Sequence, residues 1–103
     1  MAQFDIYENP RPEARRTVPY VVDVQSGLLD HLSTRLVIPV FRVGARQAPV
    51  NLCPPVEMGG ETLSLMPHLA APLSSKLLKK PVASLASRAS EVAAAMDAVL
   101  SGF

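Results

Sequence analysis

Polar and apolar residues alternate over residues 3–7 with the two-residue period of a half-buried β-strand. Residues 20–25 are rich in β-branched and aromatic types, which predicts a second strand, and residues 34–41 form the clearest strand candidate. Pro39 has no N–H to donate to a ladder, so we expect it at a sheet edge or a bulge. The pattern predicts three strands, separated by a Pro-rich loop at 9–16 and a turn at Ser26-Gly27.

The second half contains further short strands and then changes period. Residues 57–63 predict a hairpin with a Gly59-Gly60 turn, and 73–78 predict one more strand. Towards the end, apolar residues recur every three or four positions, which predicts a helix capped by Ser84 or Ser87 and stopped at Gly102. The predicted apolar stripe comprises Leu85, Ala89, Val92, Met96 and Val99, with Ala93 and Leu100 beside it.

Five to seven short strands followed by one helix predict an α+β protein that is mainly β. We expect an antiparallel barrel-like sheet with the helix laid against it. The 103 residues fit a single domain, 1–103.

Composition narrows the class of protein. With 49% apolar and 18% charged residues, the chain is globular, and its net charge of +1 gives no strong field for holding nucleic acid. Cys53 is the only cysteine, so a reducing cytoplasm is expected. Residues 1–7 do not resemble a signal peptide, and no apolar run approaches the roughly 18–20 residues that span a membrane.

The residues with reactive or metal-binding side chains do not form a convincing catalytic or metal site. Cys53, His31 and His68 match no zinc spacing, and we expect one small buried thiol and two surface imidazoles. Asp23 and Ser26 occur near His31, but no nucleophile elbow is present. We expect both side chains to bond the backbone of a turn, and we expect no catalytic residue, metal or cofactor.

Arginines are concentrated in two predicted loops, 9–16 and 41–49. They form one basic patch only if the loops meet, and the sequence leaves this open beside the simpler interpretation of scattered solubilising charge. The lysine pair Lys79-Lys80 is expected to be a solvated edge.

Four stretches together resemble the CcdB toxins of plasmid and chromosomal toxin–antitoxin systems. They are residues 1–7, residues 20–26 with Val-Asp-Val-Gln-Ser, residues 35–40 with Leu-Val-Ile-Pro, and the terminal helix closing on Gly102-Phe103. Their order and spacing agree along the whole chain.

The resemblance implies an SH3-like barrel of the type shared by CcdB and MazF, with a smaller sheet and a C-terminal helix. It implies a homodimer whose helix ends meet at the two-fold axis. Such a dimer binds the A subunit of DNA gyrase and holds the cleaved-DNA state without making or breaking a bond, and a CcdA-like antitoxin neutralises it.

The resemblance also assigns contact residues. The family's terminal Trp-Gly-Ile segment falls on Ser101, Gly102 and Phe103, so Ser101 departs from the tryptophan of the best-known member. The other implied gyrase contacts are Phe4, Ser26, Leu28, Leu29, Asp97 and Val99. The expected seat of an acidic antitoxin segment comprises Arg11, Arg15, Arg16, Arg42 and Arg46.

Two other functions stay open at this point. One is a MazF/Kid-like endoribonuclease, because one fold hosts several functions; no acid–base pair beside a basic groove supports it. The other is a CcdB-like protein that has lost toxicity and persists as an antitoxin-binding module, which the serine at position 101 would explain.

Overall fold

The computed structural model describes residues 2–42 and 52–101. Within them the chain forms seven strands and then one α-helix, which confirms the predicted mainly-β α+β class. The elements are β1 (Asp5–Glu8), β2 (Tyr20–Asp23), β3 (Thr34–Arg42), β4 (Pro55–Met58), β5 (Glu61–Leu65), β6 (Ala71–Ser74), β7 (Ala83–Ser84) and α1 (Ala89–Ser101). The predicted loop at 44–49 lies outside the described residues.

The nine-residue strand β3 is the centre of the sheet. The strand order is β4-β5-β3-β2-β1-β7, all pairs being antiparallel, and β6 also pairs with β3. The first half of β3 pairs with β6 from Thr34↔Ser74 onward, and its last residues pair with β5 from Val40↔Leu65 onward. The sheet is a curled antiparallel half-barrel, as predicted.

Pro39 lies inside this central strand, so its predicted place at an edge or a bulge was wrong. It stands opposite Val21 of β2, at the point where β3 changes its other partner from β6 to β5. The Pro39 carbonyl accepts from the N–H of Met66 (3.0 Å), and the Met66 carbonyl accepts from the N–H of Leu69 (3.0 Å). Pro39 has no N–H to donate to the carbonyl of Met66. This is tolerated because the Met66 carbonyl accepts from the N–H of Leu69 instead.

Some predicted strand boundaries also need correction; β2, for example, ends at Asp23 rather than at residue 25. β1 begins at Asp5 rather than residue 3, because Phe4 has a left-handed backbone (φ 72°) that interrupts the extended chain. The segment predicted as a strand at 73–78 is β6 followed by a 3-10 turn, Ser75–Leu77. The hydroxyl of Ser74 accepts from the N–H of Lys76 and so stabilises that turn.

The predicted Gly59-Gly60 hairpin is confirmed between β4 and β5. Both glycines have positive φ (57° and 81°), as the tight turns that match strand twist require. A residue with a Cβ would be strained at either position.

Helix α1 packs its buried residues, Val92 and Ala95, against the molecule. Ser84 rather than Ser87 stabilises the turn ahead of it, since the Ser84 hydroxyl accepts from the N–H of Ala86. The predicted stripe is too long at its end, because Val99 is 37% and Leu100 78% exposed. The main core comprises Ile6, Val22, Ile38, Val40, Val56, Leu63, Leu65, Leu85 and Val92.

Candidate functional site

Three exposed leucines follow strand β2 on a short segment, residues 26–32, which we call the leucine loop. Leu28 is 87% exposed, and Leu29 and Leu32 are exposed by about half that much. Ser26 begins a 3-10 turn here: its hydroxyl accepts from the N–H of Leu28 (3.2 Å) and its carbonyl from that of Leu29 (3.0 Å). The turn presents apolar side chains to solvent, which is typical of a surface that binds another molecule.

A buried ion pair lies beneath the leucine loop. Arg35 of β3 is 2% exposed and places Nη2 2.7 Å and Nε 2.8 Å from Oδ2 of the fully buried Asp23. Its remaining nitrogen, Nη1, lies 2.6 Å from Oδ1 of Asp30, at the end of the leucine turn. Burial opposes the charge of Arg35, but hydrogen bonds to Asp30 and Asp23 outweigh it and raise the pKa of Arg35.

The side chain of Gln25 continues the hydrogen bonding where β2 stops. Its amide nitrogen donates to the carbonyls of Thr34 (2.9 Å) and Leu29 (3.1 Å). Its amide oxygen accepts from the N–H of Leu36 (3.0 Å). Gln25 is buried, and it joins the leucine loop to the start of β3.

Phe4 approaches the same end of the sheet from the N-terminal side. Its N–H donates to the carbonyl of Asp23 (2.5 Å), and its carbonyl accepts from the N–H of Leu85 (2.8 Å). These two bonds hold Phe4 in its left-handed conformation, a strain that proteins retain mostly at functional positions. Phe4 lines a shallow groove of about 220 Å³ with Met96 and Asp97 of α1.

The remaining predicted gyrase contacts lie at the end of α1. Ser101 is exposed, and its hydroxyl donates to the carbonyl of Asp97 (2.6 Å). Val99 is exposed between them, whereas Gly102 and Phe103 lie outside the described residues. The structure thus joins Phe4 to Asp97 through one groove, and joins Phe4 to the leucine loop through the end of β2.

The predicted arginine seat lies on a different surface. Arg15 is fixed to its own loop, because its Nε donates to the Asn9 carbonyl (2.6 Å) and its Nη2 lies 3.2 Å from Glu8. Buried Asn9 shapes the loop: its side chain donates to the carbonyl of Val18 (2.8 Å) and accepts from the N–H of Arg11 (3.0 Å).

Arg42, the last residue of β3, bonds to the end of the arginine-bearing loop at 9–16. Its Nε donates to the Arg16 carbonyl (2.7 Å), and its backbone N–H donates to that of Thr17 (2.9 Å). Its Nη1 lies 2.6 Å from the carboxylate of Glu61, which raises the pKa of Arg42. Arg11 and Arg16 are exposed and form no ion pair within residues 2–42 and 52–101. Arg46 lies outside the described residues.

A groove of about 320 Å³ adjoins Arg15. Lys79 and Lys80 line it together with the exposed side chains of Leu77 and Val82. The lysine pair therefore adds positive charge beside Arg15, and the groove offers apolar contacts as well. Sequence reasoning treated Lys79-Lys80 as a solvated edge and missed this proximity, because it depends on how the loop at 9–16 folds.

The polar residues considered for catalysis are otherwise occupied. Asp23 Oδ1 accepts from the N–H of Gln25 (3.0 Å), so Asp23 and Ser26 bond turn backbone as predicted. Cys53 is buried, its Sγ lies 3.9 Å from Nδ1 of exposed His68, and burial raises the pKa of its thiol. Within the described part of the chain, no three His, Cys, Asp or Glu residues are placed to hold a metal, and no helix is long and apolar enough to cross a membrane.

The comparison with protein families decides the membership of the chain. The family model described as CcdB protein matches residues 3–102. The chain belongs to the CcdB family. CcdB proteins are toxins of toxin–antitoxin systems, and the described half-barrel with its helix agrees with that membership. A search of curated proteins finds no match to the chain.

Proposed function

We propose that this CcdB-family protein acts on the A subunit of DNA gyrase as a homodimer, traps the enzyme with its DNA cleaved, and does so without catalysis. The observation that carries the proposal is the leucine loop. Leu28 is almost wholly exposed, yet the turn beneath it is held by hydrogen bonds from two buried side chains, those of Gln25 and Arg35. An ordered apolar surface suits a protein that works by binding, since little entropy is lost when the partner arrives.

To trap gyrase, the protein has to bind one state of the enzyme more tightly than the other, and it does not need to catalyse a reaction. A ligand shifts a two-state equilibrium only by its difference in affinity for the two states, and about 10⁴-fold preference moves the ratio from 1:99 to 99:1. The contacts proposed for this preference are Phe4, Ser26, Leu28, Leu29, Asp97, Val99, Ser101, Gly102 and Phe103.

The exposed end of α1 supports the proposed dimer. Val99 and Leu100 project apolar side chains there, and a two-fold arrangement with the two helix ends side by side would form one surface from both chains. Sedimentation equilibrium of the purified protein tests this: we expect twice the 11.0 kDa chain mass. A monomer at micromolar concentration would contradict the dimer.

We also propose that an acidic segment of a CcdA-like antitoxin binds the arginine surface, which comprises Arg11, Arg15, Arg16, Arg42 and Arg46. We propose the cytoplasm as the place where the toxin acts and meets this antitoxin. The supporting observation is the contact of Arg42, the last residue of β3, with the carbonyl of Arg16 in the loop at 9–16. Arg15, Lys79 and Lys80 line the 320 Å³ groove, together with Glu8, which pairs with Arg15. Charge of this kind steers an acidic partner and is screened by salt, with a Debye length of about 8 Å at 0.15 M.

The test is a supercoiling and DNA-cleavage assay with purified gyrase. Linear DNA should accumulate only when the protein is present, and an acidic antitoxin peptide should reverse the effect less well as salt is raised. If gyrase ignores the protein while the peptide still binds, the non-toxic binding module is the correct function. RNA cleavage by the purified protein would instead establish the ribonuclease.

A crossed pair of variants separates the two surfaces. Leu28→Asp places a charge on the leucine loop, and Val82→Asp places the same charge on an exposed apolar residue of the lysine-lined groove. The Leu28→Asp variant should no longer inhibit gyrase, because its charge would be left without solvent or a partner in an apolar contact. It should still bind the acidic peptide. Val82→Asp should keep gyrase inhibition and bind the acidic peptide more weakly. The opposite outcome for either variant would contradict the assignment of the surfaces.

A further inference from the structure

The exposed leucines cannot fix their own conformation, because side chains in water make few packing contacts. Leu28, Leu29 and Leu32 belong to no strand or α-helix, and their segment contains one 3-10 turn of three residues. Short turns of this kind open easily unless other groups hold them. The order of the leucine loop must therefore come from the polar groups that attach it to the sheet.

Two such attachments reach the loop from buried side chains. Gln25 donates to the Leu29 carbonyl (3.1 Å), and Arg35 donates to the carboxylate of Asp30 (2.6 Å). The second is charge-assisted and short, and it ends on the residue that closes the 3-10 turn. It is the stronger of the two attachments.

Arg35 is able to hold Asp30 because its own position is already fixed. Nε and Nη2 both lie against Asp23, so the guanidinium plane is set and Nη1 is directed at Asp30. The backbone carbonyl of Asp23 meanwhile accepts from the N–H of Phe4. One buried residue thus connects the leucine loop and Phe4, the two parts of the proposed gyrase surface.

We infer that Asp30 and Arg35 are positioning residues, whose contact orders the leucine loop before the target is met. The use of this order rests on the proposed gyrase function, but the order itself is a property of the free protein. A loop already in its bound conformation loses less entropy on binding, so the contact should appear as affinity.

Asp30 offers a clean test because its carboxylate is 53% exposed, whereas its partner is buried. Asp30→Ala removes the attachment and leaves the Asp23–Arg35 pair intact. Asp30→Asn keeps an acceptor oxygen and should restore part of the effect. The matched control is Glu57→Ala, which removes an exposed carboxylate that accepts from the Thr62 hydroxyl on the β4–β5 hairpin.

Amide hydrogen exchange of the free protein is the first measurement. In Asp30→Ala the amides of Leu28, Leu29 and Leu32 should exchange about tenfold faster, with the β3 amides unchanged. Asp30→Asn should lie between this variant and the wild type, and Glu57→Ala should match the wild type. Unchanged exchange in Asp30→Ala would overturn the inference, whatever gyrase does.

Gyrase affinity, measured by surface plasmon resonance on immobilised gyrase A subunit, is the second measurement. Asp30→Ala should lower the affinity for gyrase about tenfold, and Asp30→Asn should restore part of that affinity. Binding of the acidic peptide should be the same in both variants as in the wild type. Faster exchange with full gyrase affinity would overturn the positioning role. A wild type that does not bind gyrase would reject the proposed function alone, since the exchange experiment still decides whether Asp30 orders the loop.

Discussion

Arg35 and Arg42 stand at opposite ends of β3, and each binds a carboxylate, but the two pairs have different consequences. Arg35 is 2% exposed and touches Asp23 and Asp30, whereas Arg42 is 41% exposed and touches Glu61. The first pair sits under a surface of leucines, the second within a surface of arginines. The same kind of ion pair is therefore buried beneath the leucine loop at one end of β3 and exposed to solvent beside Arg16 at the other.

The physical reason is the surrounding medium. Removing one partner from a buried pair leaves a charge in a poorly polarisable interior, while water replaces a lost partner at the surface. Buried pairs are thus costly to break but need not be stabilising overall, and their benefit is a single arrangement of the groups around them. In this protein those groups are the leucine loop and Phe4.

The largest effect is expected at the buried end. Asp23→Asn keeps the size of the side chain but leaves Arg35 without its buried counter-charge and with only the half-exposed Asp30 carboxylate as a partner, and should lower the free energy of unfolding by about 3 kcal/mol, the lower end of the range for a broken buried pair. Urea denaturation followed by far-UV circular dichroism measures this. The double variant Asp23→Leu/Arg35→Met is the control, because replacing both charges by apolar groups should recover most of the loss. If the single variant loses less than about 1 kcal/mol, the pair of Asp23 and Arg35 contributes no more to stability than an ion pair on the surface.

The apolar periodicity predicted most of the sheet and much of the helix, since burial on one face imposes a period. It did not predict the buried ion pair of Asp23 and Arg35. Both residues are charged and lie in strands that are otherwise mostly apolar, and a charged residue in the core usually has a partner, so their positions did indicate a pair. The register that places them side by side is set by the pairing of β2 with β3. The register depends on how two strands pair, and the pattern of residues along one strand does not determine it.

The site was predicted unevenly for a similar reason. Ser26 and Asp23 bond turn backbone as expected, because such bonds are local. The contact of Arg42 with the carbonyl of Arg16 joins the end of β3 to the loop at 9–16, and a contact between such distant parts of the chain does not show in a local pattern. The placement of Pro39 was wrong because its fit depends on a change of partner strand that only the folded sheet creates.

A smaller effect, of opposite sign, is expected at the exposed end. Glu61→Gln removes the carboxylate that occupies Nη1 of Arg42 and leaves the guanidinium free for an acidic partner. Affinity for an acidic antitoxin peptide should rise about two- to threefold at low salt, and the gain should vanish as salt is raised. Isothermal titration calorimetry at two salt concentrations measures it. Weaker peptide binding in this variant would mean that Glu61 orders Arg42 for binding, as Asp23 orders Arg35.

The smallest effect concerns the ion pair between Arg88, in the turn before α1, and Glu91, in the first turn of α1, which a fall in pH should break. The hydrogen bond from Arg88 lowers the pKa of Glu91 below its usual 4.5. A carboxyl whose pKa is lower in the folded than in the unfolded chain stabilises the fold above its unfolded pKa, and loses that contribution as pH falls through the folded value. The wild type should therefore exceed Glu91→Gln slightly in urea midpoint at pH 7, and the gap should close below pH 4.5. In an Arg88→Met background the gap at pH 7 should shrink, leaving what Glu91 gains from the first turn of the helix. A gap that survives acid would show that Glu91 acts by packing rather than by its charge.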